Sequence, residues 1–203
     1  MANAEKQLSA EELIQEGIKY YTGKGVKRKY STAVGFFRDA AQTNPIGKLW
    51  YAKCKYFGNG KIYDPVRAYS LFSEAAESNI IEAKYYQALC LLSGAGVDYN
   101  EKEAFNIFKQ LSKEYLPALH HLGLCYYSGL GTPRDFEKSL EIFKLATEKQ
   151  YLLSELYYVS MITGPEKQSA HEKLRAHAEQ VISNDDNDVE QFEYGKFLKF
   201  IDT

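Results

Sequence analysis

The 203-residue sequence predicts an all-α protein, a right-handed α-α superhelix (solenoid) of about five helix-turn-helix repeats followed by a C-terminal capping helix. Two observations predict this fold class. Four G-x-G tripeptides begin at Gly23, Gly58, Gly94 and Gly129, at steps of 35, 36 and 35 residues. On both sides of each tripeptide, apolar residues recur at the spacing of an α-helix. One helical hairpin cannot bury its own apolar face, so a regular series of hairpins predicts a stack.

Further columns recur in register with the tripeptides, and they place a helix on each side of every turn. The first helix carries a small residue at the centre of its buried face, at Gly17, Ala52, Ala88 and Gly123. The second helix carries a small residue and then a phenylalanine, at Ala33, Ala68, Ala104 and Ser139 and at Phe37, Phe72, Phe108 and Phe143. Glycine inside a helix costs about 1 kcal/mol relative to alanine. Close approach of the second helix is a reason to keep the first column small, and the phenylalanines are expected to fill the space between units.

These columns divide the chain into a tail, five units and a C-terminal segment. Residues 1–9 are a predicted tail, and the repeats span 10–182, with units at about 10–44, 45–79, 80–115, 116–150 and 151–182. The fifth unit departs from the pattern, because Tyr158 occupies the small-residue column and Gly164-Pro165 replaces the tripeptide. Residues 183–203 are a predicted linker and capping helix, with the helix at about 189–201. Atypical end units close a solenoid core against water.

The spacing between the two helices distinguishes between repeat families. In each of the first four units, the small residues of the two helices are sixteen apart, as between Ala52 and Ala68. In the tetratricopeptide repeat the corresponding residues are twelve apart. The longer turn resembles the SEL-like repeat (SLR), a tetratricopeptide-like family with the pattern A-x-x-x-L-G-x-x-Y-x-x-G-x-G-V. The fourth unit matches it at Ala118, Leu122, Gly123, Tyr126, Gly129 and Gly131. The resemblance covers about residues 10–150 and implies scaffold and adaptor roles in protein complexes.

Composition excludes several classes of function. The 25 Lys and Arg residues nearly balance 27 Asp and Glu residues, for a net charge of −2, which argues against binding nucleic acid through phosphate neutralisation. No apolar run approaches the roughly 18 residues of a membrane span, so no membrane insertion is expected. The first residues lack the apolar core of a signal peptide, which predicts a cytoplasmic protein. A secreted effector exported without such a signal is the alternative.

The three cysteines form one column, Cys54, Cys90 and Cys125, on successive first helices. Equivalent positions in stacked hairpins are expected to exceed the ~7 Å Cα separation that a disulfide permits. Reduced thiols in the core are therefore predicted. A cysteine-rich secreted branch of the family resembles β-lactamase-like enzymes, but it carries two cysteines per repeat, and the second-helix partners are absent here.

Other chemistry-bearing residues do not assemble into a recognisable motif. Adjacent helical residues point about 100° apart, so His120 and His121 are not expected to share a metal. His171 and His177 have the wrong spacing for H-E-x-x-H and are predicted to lie on a solvated face. The G-x-G tripeptides end helices and are followed by no P-loop lysine, which argues against phosphate binding. The sequence predicts no catalytic residue, no cofactor and no metal site.

The remaining candidate is a surface. In tetratricopeptide solenoids the first helices line the concave face, and the resemblance places three rows of residues there. The predicted partner-binding residues on this concave face are Ile14, Leu49, Tyr85 and His120; Ile18, Lys53, Leu89 and Leu124; Tyr21, Tyr56, Leu92 and Tyr127; with Phe57 beside them. For the first and third rows, packing inside the core remains an open alternative.

These observations favour a non-enzymatic adaptor that binds a protein or peptide on its concave surface, where tyrosines offer a rigid apolar body with a polar tip. One alternative is a hydrolase-like or small-ligand-binding protein of the cysteine-rich branch. Another is a homo-oligomerisation module, with a homodimer formed through the C-terminal helix.

Overall fold

The computed structural model describes residues 8–60 and 63–183, and within them all regular secondary structure is helical, as predicted. The helices in these ranges are α1 (Ala10–Thr22), α2 (Tyr30–Ala40), α3 (Pro45–Phe57), α4 (Pro65–Glu77), α5 (Ile81–Ser93), α6 (Glu101–Leu111), α7 (Leu116–Ser128), α8 (Phe136–Glu148), α9 (Leu152–Met161) and α10 (Glu166–Ser183). The chain forms two compact units, Met1–Leu111 and Ser112–Thr203. The first contains α1 to α6 and the second α7 to α10. The predicted capping helix at 189–201, and most of the predicted tail and linker, lie outside the described residues.

Each G-x-G tripeptide ends a first helix. The leading glycine caps it in the left-handed region, as at Gly94, where φ is 69° and the amide donates to the Cys90 carbonyl. The second glycine of the tripeptide is also left-handed, with φ of 77° at Gly96. Residues with a side chain rarely adopt this backbone conformation, which accounts for the two glycines in each G-x-G turn.

A backbone hydrogen bond closes the longer turn in all four repeats. The residue that precedes each second helix donates its amide to a carbonyl nine positions earlier, in the last turn of the first helix. The pairs, at 2.9–3.0 Å, are Lys29 to Tyr20, Asp64 to Lys55, Asn100 to Leu91 and Asp135 to Tyr126. The extra residues of the longer turn therefore provide a hydrogen bond to a helix-end carbonyl that has no partner within its own helix.

The small residues allow close packing inside each hairpin, as the sequence predicts. A Cβ added to Gly17 would lie 2.4 Å from Cε1 of Phe37, and one added to Gly123 would lie 2.7 Å from Cε1 of Phe143. The edge of the phenylalanine ring thus occupies the space that a side chain would take. All four phenylalanines of the column are 0% exposed.

Three of these phenylalanines also stack on an aromatic ring of the next hairpin. Phe37 stacks on Trp50 with ring centres 5.2 Å apart, and Phe72 stacks on Tyr86 at 5.0 Å. In the second unit, Phe143 stacks on Tyr157 at 5.0 Å. Phe37, Phe72 and Phe143 therefore pack within their own hairpins and also against the next one in the same unit, which is the predicted filling between repeats.

The fifth hairpin lacks the G-x-G turn. Helix α9 ends at Met161, and α10 follows after a short turn in which Gly164 has φ of 90°. Leu174 and Ala178 are 0% exposed and pack with Leu152 and Val159. The apolar column continues through α10 even though the turn is shorter.

Candidate functional site

The first predicted row of the concave face lies in the core. Ile14, Leu49, Tyr85 and His120 are all at most 8% exposed. These side chains point towards the second helices, as shown by Tyr85, whose ring centre is 5.9 Å from that of Phe108. The core alternative therefore describes the first row better than a binding surface does.

The third row is divided between core and surface. Tyr21 is 7% exposed, and its hydroxyl accepts a hydrogen bond of 2.7 Å from Asn59. Burial raises the pKa of Tyr21 to about 12, so the phenol is neutral. Tyr56 and Leu92 are half-buried, whereas Tyr127 is 37% exposed.

The second row and the residue beside the third are accessible. Ile18, Lys53, Leu89 and Leu124 are all half-buried, and Phe57 is 52% exposed. This row occurs once per first helix, so it places a partly accessible side chain on α1, α3, α5 and α7.

Two accessible stripes run along α3 and α5 with spacings of four, three and four residues, which keep a stripe on one helix face. They consist of Ile46, Trp50, Lys53 and Phe57 on α3 and of Glu82, Tyr86, Leu89 and Ser93 on α5. Sequence reasoning missed Ile46, Trp50, Glu82 and Tyr86. The signal available was the single Trp of the chain, one helical turn before Lys53, together with a Tyr at the equivalent position of the next repeat.

The centre of these stripes is a cluster that we call the α3–α5 patch: Trp50, Lys53, Phe57, Glu82 and Tyr86. The Lys53 ammonium lies 2.8 Å from a Glu82 carboxylate oxygen, 4.4 Å from the Trp50 ring centre and 5.6 Å from the Tyr86 ring centre. Phe57 packs edge-on against Tyr86, with ring centres 6.0 Å apart. The patch thus has a rigid aromatic floor, because the inner faces of Trp50 and Tyr86 are held by Phe37 and Phe72.

The repeats match a known family. The Sel1 repeat model matches residues 17–42, 46–80, 81–114 and 116–151, which together make up more than half of the chain. The chain belongs to the Sel1 repeat family. The resemblance to SEL-like repeats drawn from the turn length is therefore confirmed.

Solved structures share the Sel1 repeat fold. The chain superposes on the Sel1 repeat protein from Oxalobacter formigenes with a TM-score of 0.67 and 20% identity, over 83% of this chain and 73% of that one. It also superposes on a protective antigen of uropathogenic Escherichia coli that displays an SLR fold. That match has a TM-score of 0.64 and 24% identity, over 84% of this chain and 38% of the antigen. At this identity the similarity shows the fold alone.

A curated relative is chitin synthase regulatory factor 2 of Schizosaccharomyces pombe. It is 26% identical over 119 residues, which are 57% of this Sel1 repeat chain and 23% of the yeast protein. This chain therefore spans about a quarter of that relative.

The cysteines of this Sel1 repeat chain are buried thiols. Cys54, Cys90 and Cys125 are at most 1% exposed and form no disulfide. Burial raises the pKa of Cys54 and of Cys90 to about 12, so neither is a thiolate near neutral pH. The nucleophile that a cysteine-based activity needs is absent at these two positions.

The adjacent histidines His120 and His121 pack against the protein interior. The Nδ1 atom of His120 lies 3.0 Å from the Ser154 hydroxyl, inside the core of the second unit. Burial lowers the pKa of His120 to about 3, with a smaller contribution from His121. His121 is half-buried and its Nδ1 lies 3.0 Å from the Pro117 carbonyl, so it donates a hydrogen bond there. The two imidazole rings pack edge to face, with ring centres 5.4 Å apart.

His177 differs from the prediction of a solvated face. Its Nδ1 lies 2.6 Å from a Glu155 carboxylate oxygen, and its side chain is only 21% exposed. The correction has a physical reason, since α10 packs on α9 and carries His177 to its inner side. Among residues 8–60 and 63–183, no three His, Cys, Asp or Glu side chains are grouped as metal ligands would be. In the same ranges, no helix combines the length and apolar character needed to cross a membrane.

Proposed function

We propose that this Sel1 repeat chain is a non-enzymatic adaptor that binds a protein or peptide on its concave first-helix surface. The observation that carries the proposal is the α3–α5 patch. In this patch, accessible aromatic rings lie beside a lysine and a glutamate. Two of these rings, Trp50 and Tyr86, are held in place by stacking on buried phenylalanines.

The chemistry of the patch suits a peptide. Aromatic side chains contribute strongly to protein interfaces because they bury large areas with few rotatable bonds. Trp50 and Tyr86 lose little freedom on binding, because each is stacked on a buried phenylalanine. Lys53 and Glu82 give the surface one charge of each sign. Polar contacts with these two side chains can orient a bound peptide, while the surrounding aromatic rings bury its apolar side chains.

The binding residues that we propose are the accessible members of the predicted set together with those that the structure adds. From the prediction these are Ile18, Lys53, Tyr56, Phe57, Leu89 and Leu92 in the first unit and, in the second unit taken by itself, Leu124 and Tyr127. The structure adds Ile46, Trp50, Glu82 and Tyr86. The predicted residues Ile14, Tyr21, Leu49, Tyr85 and His120 are buried, so we do not include them among the residues that contact the partner.

The accessible chemistry is that of recognition rather than reaction. Cys54 and Cys90 are protonated core thiols, and His120 is a neutral core side chain. No observation favours the hydrolase-like alternative. Three buried thiols without a disulfide suit a reducing compartment, and we propose the cytoplasm as the location.

A peptide-display selection tests the proposal without a known partner. A random library is selected on the immobilised chain, and enriched peptides are synthesised and titrated against variants. Phe57→Ala/Leu89→Ala is expected to weaken their binding at least tenfold. Leu145→Ala, which removes a similarly exposed side chain from the second helix α8, is the matched control and is expected to leave binding unchanged. Failure to enrich any peptide, or equal binding by both variants, would overturn the proposal.

A further inference from the structure

The three G-x-G turns of the first unit lie side by side along one edge. A Cβ added to Gly60 would lie 3.5 Å from backbone atoms of Tyr30, at the start of α2. One added to Gly96 would lie 2.1 Å from the carbonyl oxygen of Pro65, at the start of α4. The second and third turns therefore each rest on the first residues of the preceding second helix, which directly follow the turn before. We call this surface the turn edge: residues 23–32, 58–60 with 63–67, and 94–103.

Charge changes sign along the turn edge. The first turn, residues 23–32, has four cations and no carboxylate, namely Lys24, Lys27, Arg28 and Lys29, all exposed. The third turn, residues 94–103, has three carboxylates and one lysine, namely Asp98, Glu101, Glu103 and Lys102. The second turn lies between them. One end of the edge is thus basic and the other acidic, although the whole chain carries a net charge of only −2.

Large apolar side chains are exposed in the second turn, between the two charged ends, and in the adjoining third turn. Tyr63 is 66% exposed and Val66 is 67% exposed, and both belong to the second turn. Tyr99, in the third turn, is 58% exposed, and its hydroxyl donates to Glu101. These are the three highest exposures among the large apolar side chains that the structure describes. An apolar centre flanked by opposite charges is the arrangement of a protein interface, in which a polar rim surrounds an apolar core.

We propose that the occupant of the turn edge is the turn edge of a second copy of this chain. In a two-fold symmetric interface the same surface is used by both partners. A two-fold axis through the second turn places the basic first turn of one copy against the acidic third turn of the other, twice. Tyr63 and Val66 of one copy then meet those of the other on the axis. Opposite charges at both ends attract and fix the register, while a parallel arrangement would place like charges together.

A charge-swap experiment on the full chain tests this pairing. The acidic variant is Lys27→Glu/Arg28→Glu/Lys29→Glu, which leaves the first turn with three carboxylates and one cation. The basic variant is Asp98→Lys/Glu103→Lys, which leaves the third turn with three cations and one carboxylate. Each variant alone has like charges at both ends of the proposed interface. An equimolar mixture has opposite charges at both ends.

Sedimentation equilibrium measures the result at about 0.1 M and 1 M salt, where the Debye length falls from about 10 Å to about 3 Å. The wild type is expected to dimerise, and to do so more weakly at the higher salt. Each variant alone is expected to dimerise at least tenfold more weakly at 0.1 M salt, and the mixture to recover most of the wild-type affinity. Circular dichroism melting checks that each variant is folded.

The apolar centre has its own test. Tyr63→Ser/Val66→Ser is expected to weaken dimerisation at least tenfold, while Phe136→Ser, at a 51% exposed position of the second unit, leaves it unchanged. A wild type that stays monomeric at every concentration would overturn the proposal. So would a dimer that is indifferent to the charge swap, because its interface would then lie elsewhere, as in the predicted C-terminal helix. None of the substituted residues belongs to the proposed peptide-binding surface, so the two proposals are tested independently.

Discussion

At the scale of single residues, two glycines inside helices allow the effect of packing on stability to be compared with the effect of helix propensity. Gly17 lies inside α1 against the buried edge of Phe37, whereas Gly35 lies inside α2 with no atom within 4 Å of a Cβ built on it. Both cost helix stability relative to alanine. Only at Gly17 does the fold use the missing side chain.

The two positions should therefore respond in opposite directions to the same substitution. Gly17→Ala is expected to lower the free energy of unfolding by about 1–3 kcal/mol, because the new methyl group would lie 2.4 Å from the ring of Phe37, which is fully buried. Gly35→Ala is expected to raise it by up to about 1 kcal/mol. Urea unfolding measures both. A Gly17→Ala variant as stable as the wild type would show that Phe37 can be displaced.

A second feature at this scale is a buried histidine that is neutral in the fold. His120 contacts Ser154, Phe143 and Tyr157, and burial holds its pKa at about 3. Burial also lowers the pKa of the adjacent His121. In the unfolded chain a histidine takes up a proton below about pH 6.5. The unfolded state then binds more protons than the folded state, so stability falls as the pH drops from about 6.5 towards 3.

His120→Gln should remove the contribution of His120 to this pH dependence and leave that of His121, while keeping a side chain that can hydrogen-bond to Ser154. The slope of unfolding free energy against pH between 6.5 and 4.5 is expected to decrease by at most about 1.4 kcal/mol per pH unit, the value for one proton. Urea unfolding at several pH values gives the slopes. Ser154→Ala is the control, since it removes the hydrogen bond but leaves the histidine. Parallel curves for wild type and His120→Gln would contradict the prediction.

At the scale of secondary-structure elements, the starts of the second helices differ in one respect. Helices α4 and α8 are capped by Asp64 and Asp135, whose carboxylates accept from backbone amides at 3.1 Å and 3.0 Å. In the equivalent position Asn100 caps α6. Helix α2 has Lys29 there, without a side-chain cap and with no acidic residue in its first turn. A cation at a helix N-terminus opposes the helix dipole.

Lys29→Asp is therefore expected to stabilise the chain by about 1 kcal/mol, the usual contribution of an N-cap. The backbone is already suitable, since φ and ψ at Lys29 are −151° and 90°, against −147° and 94° at Asp135. Thermal melting measures the gain, and Lys27→Asp, outside the cap position, is the control. Lys29→Asp also removes a cation from the first turn and is expected to weaken the proposed dimer. The melting temperature should therefore rise while the affinity of dimerisation falls. A Lys29→Asp variant no more stable than Lys27→Asp would refute the capping argument.

Elements were predicted well where local chemistry decides them, and binding residues less well. The turns follow from glycine pairs at fixed steps, and the core follows from columns such as Phe37 and Phe72. The rows of the binding surface depend on how each first helix is rotated about its axis, which a repeat period does not specify. Leu49 and Tyr85 therefore fell in the core, while Trp50, one position beyond Leu49, is accessible.

At the scale of the whole molecule, the sequence period identifies the architecture because each repeat must satisfy the same packing rule. Where the period weakens, prediction weakens too. The fifth hairpin was recognised from its apolar column, with Leu174 and Ala178 buried as expected. The contact of His177 with Glu155 was missed, because a turn without the tripeptide leaves the rotation of α10 unspecified.

A chain built this way should respond locally to damage. Stacked repeats derive their stability from each repeat and from contacts with its neighbours, so a core defect is felt most strongly in adjacent elements. Phe72 is a suitable place for such a defect, because it lies inside the α3–α4 hairpin and stacks on Tyr86 of α5 at 5.0 Å.

Phe72→Leu is expected to lower the protection of amides in α3, α4 and α5 against hydrogen exchange, since the stack with Tyr86 is lost and a cavity remains. Protection in α9 and α10 is expected to change little, because these helices belong to the other compact unit. Native-state hydrogen exchange on the full chain, read peptide by peptide, gives both values in one experiment. Phe143→Leu, the equivalent change in α8, is the matched control and should reverse the pattern. An equal loss of protection in every helix for both variants would show that the chain unfolds as a single cooperative body, against the expectation for a repeat protein.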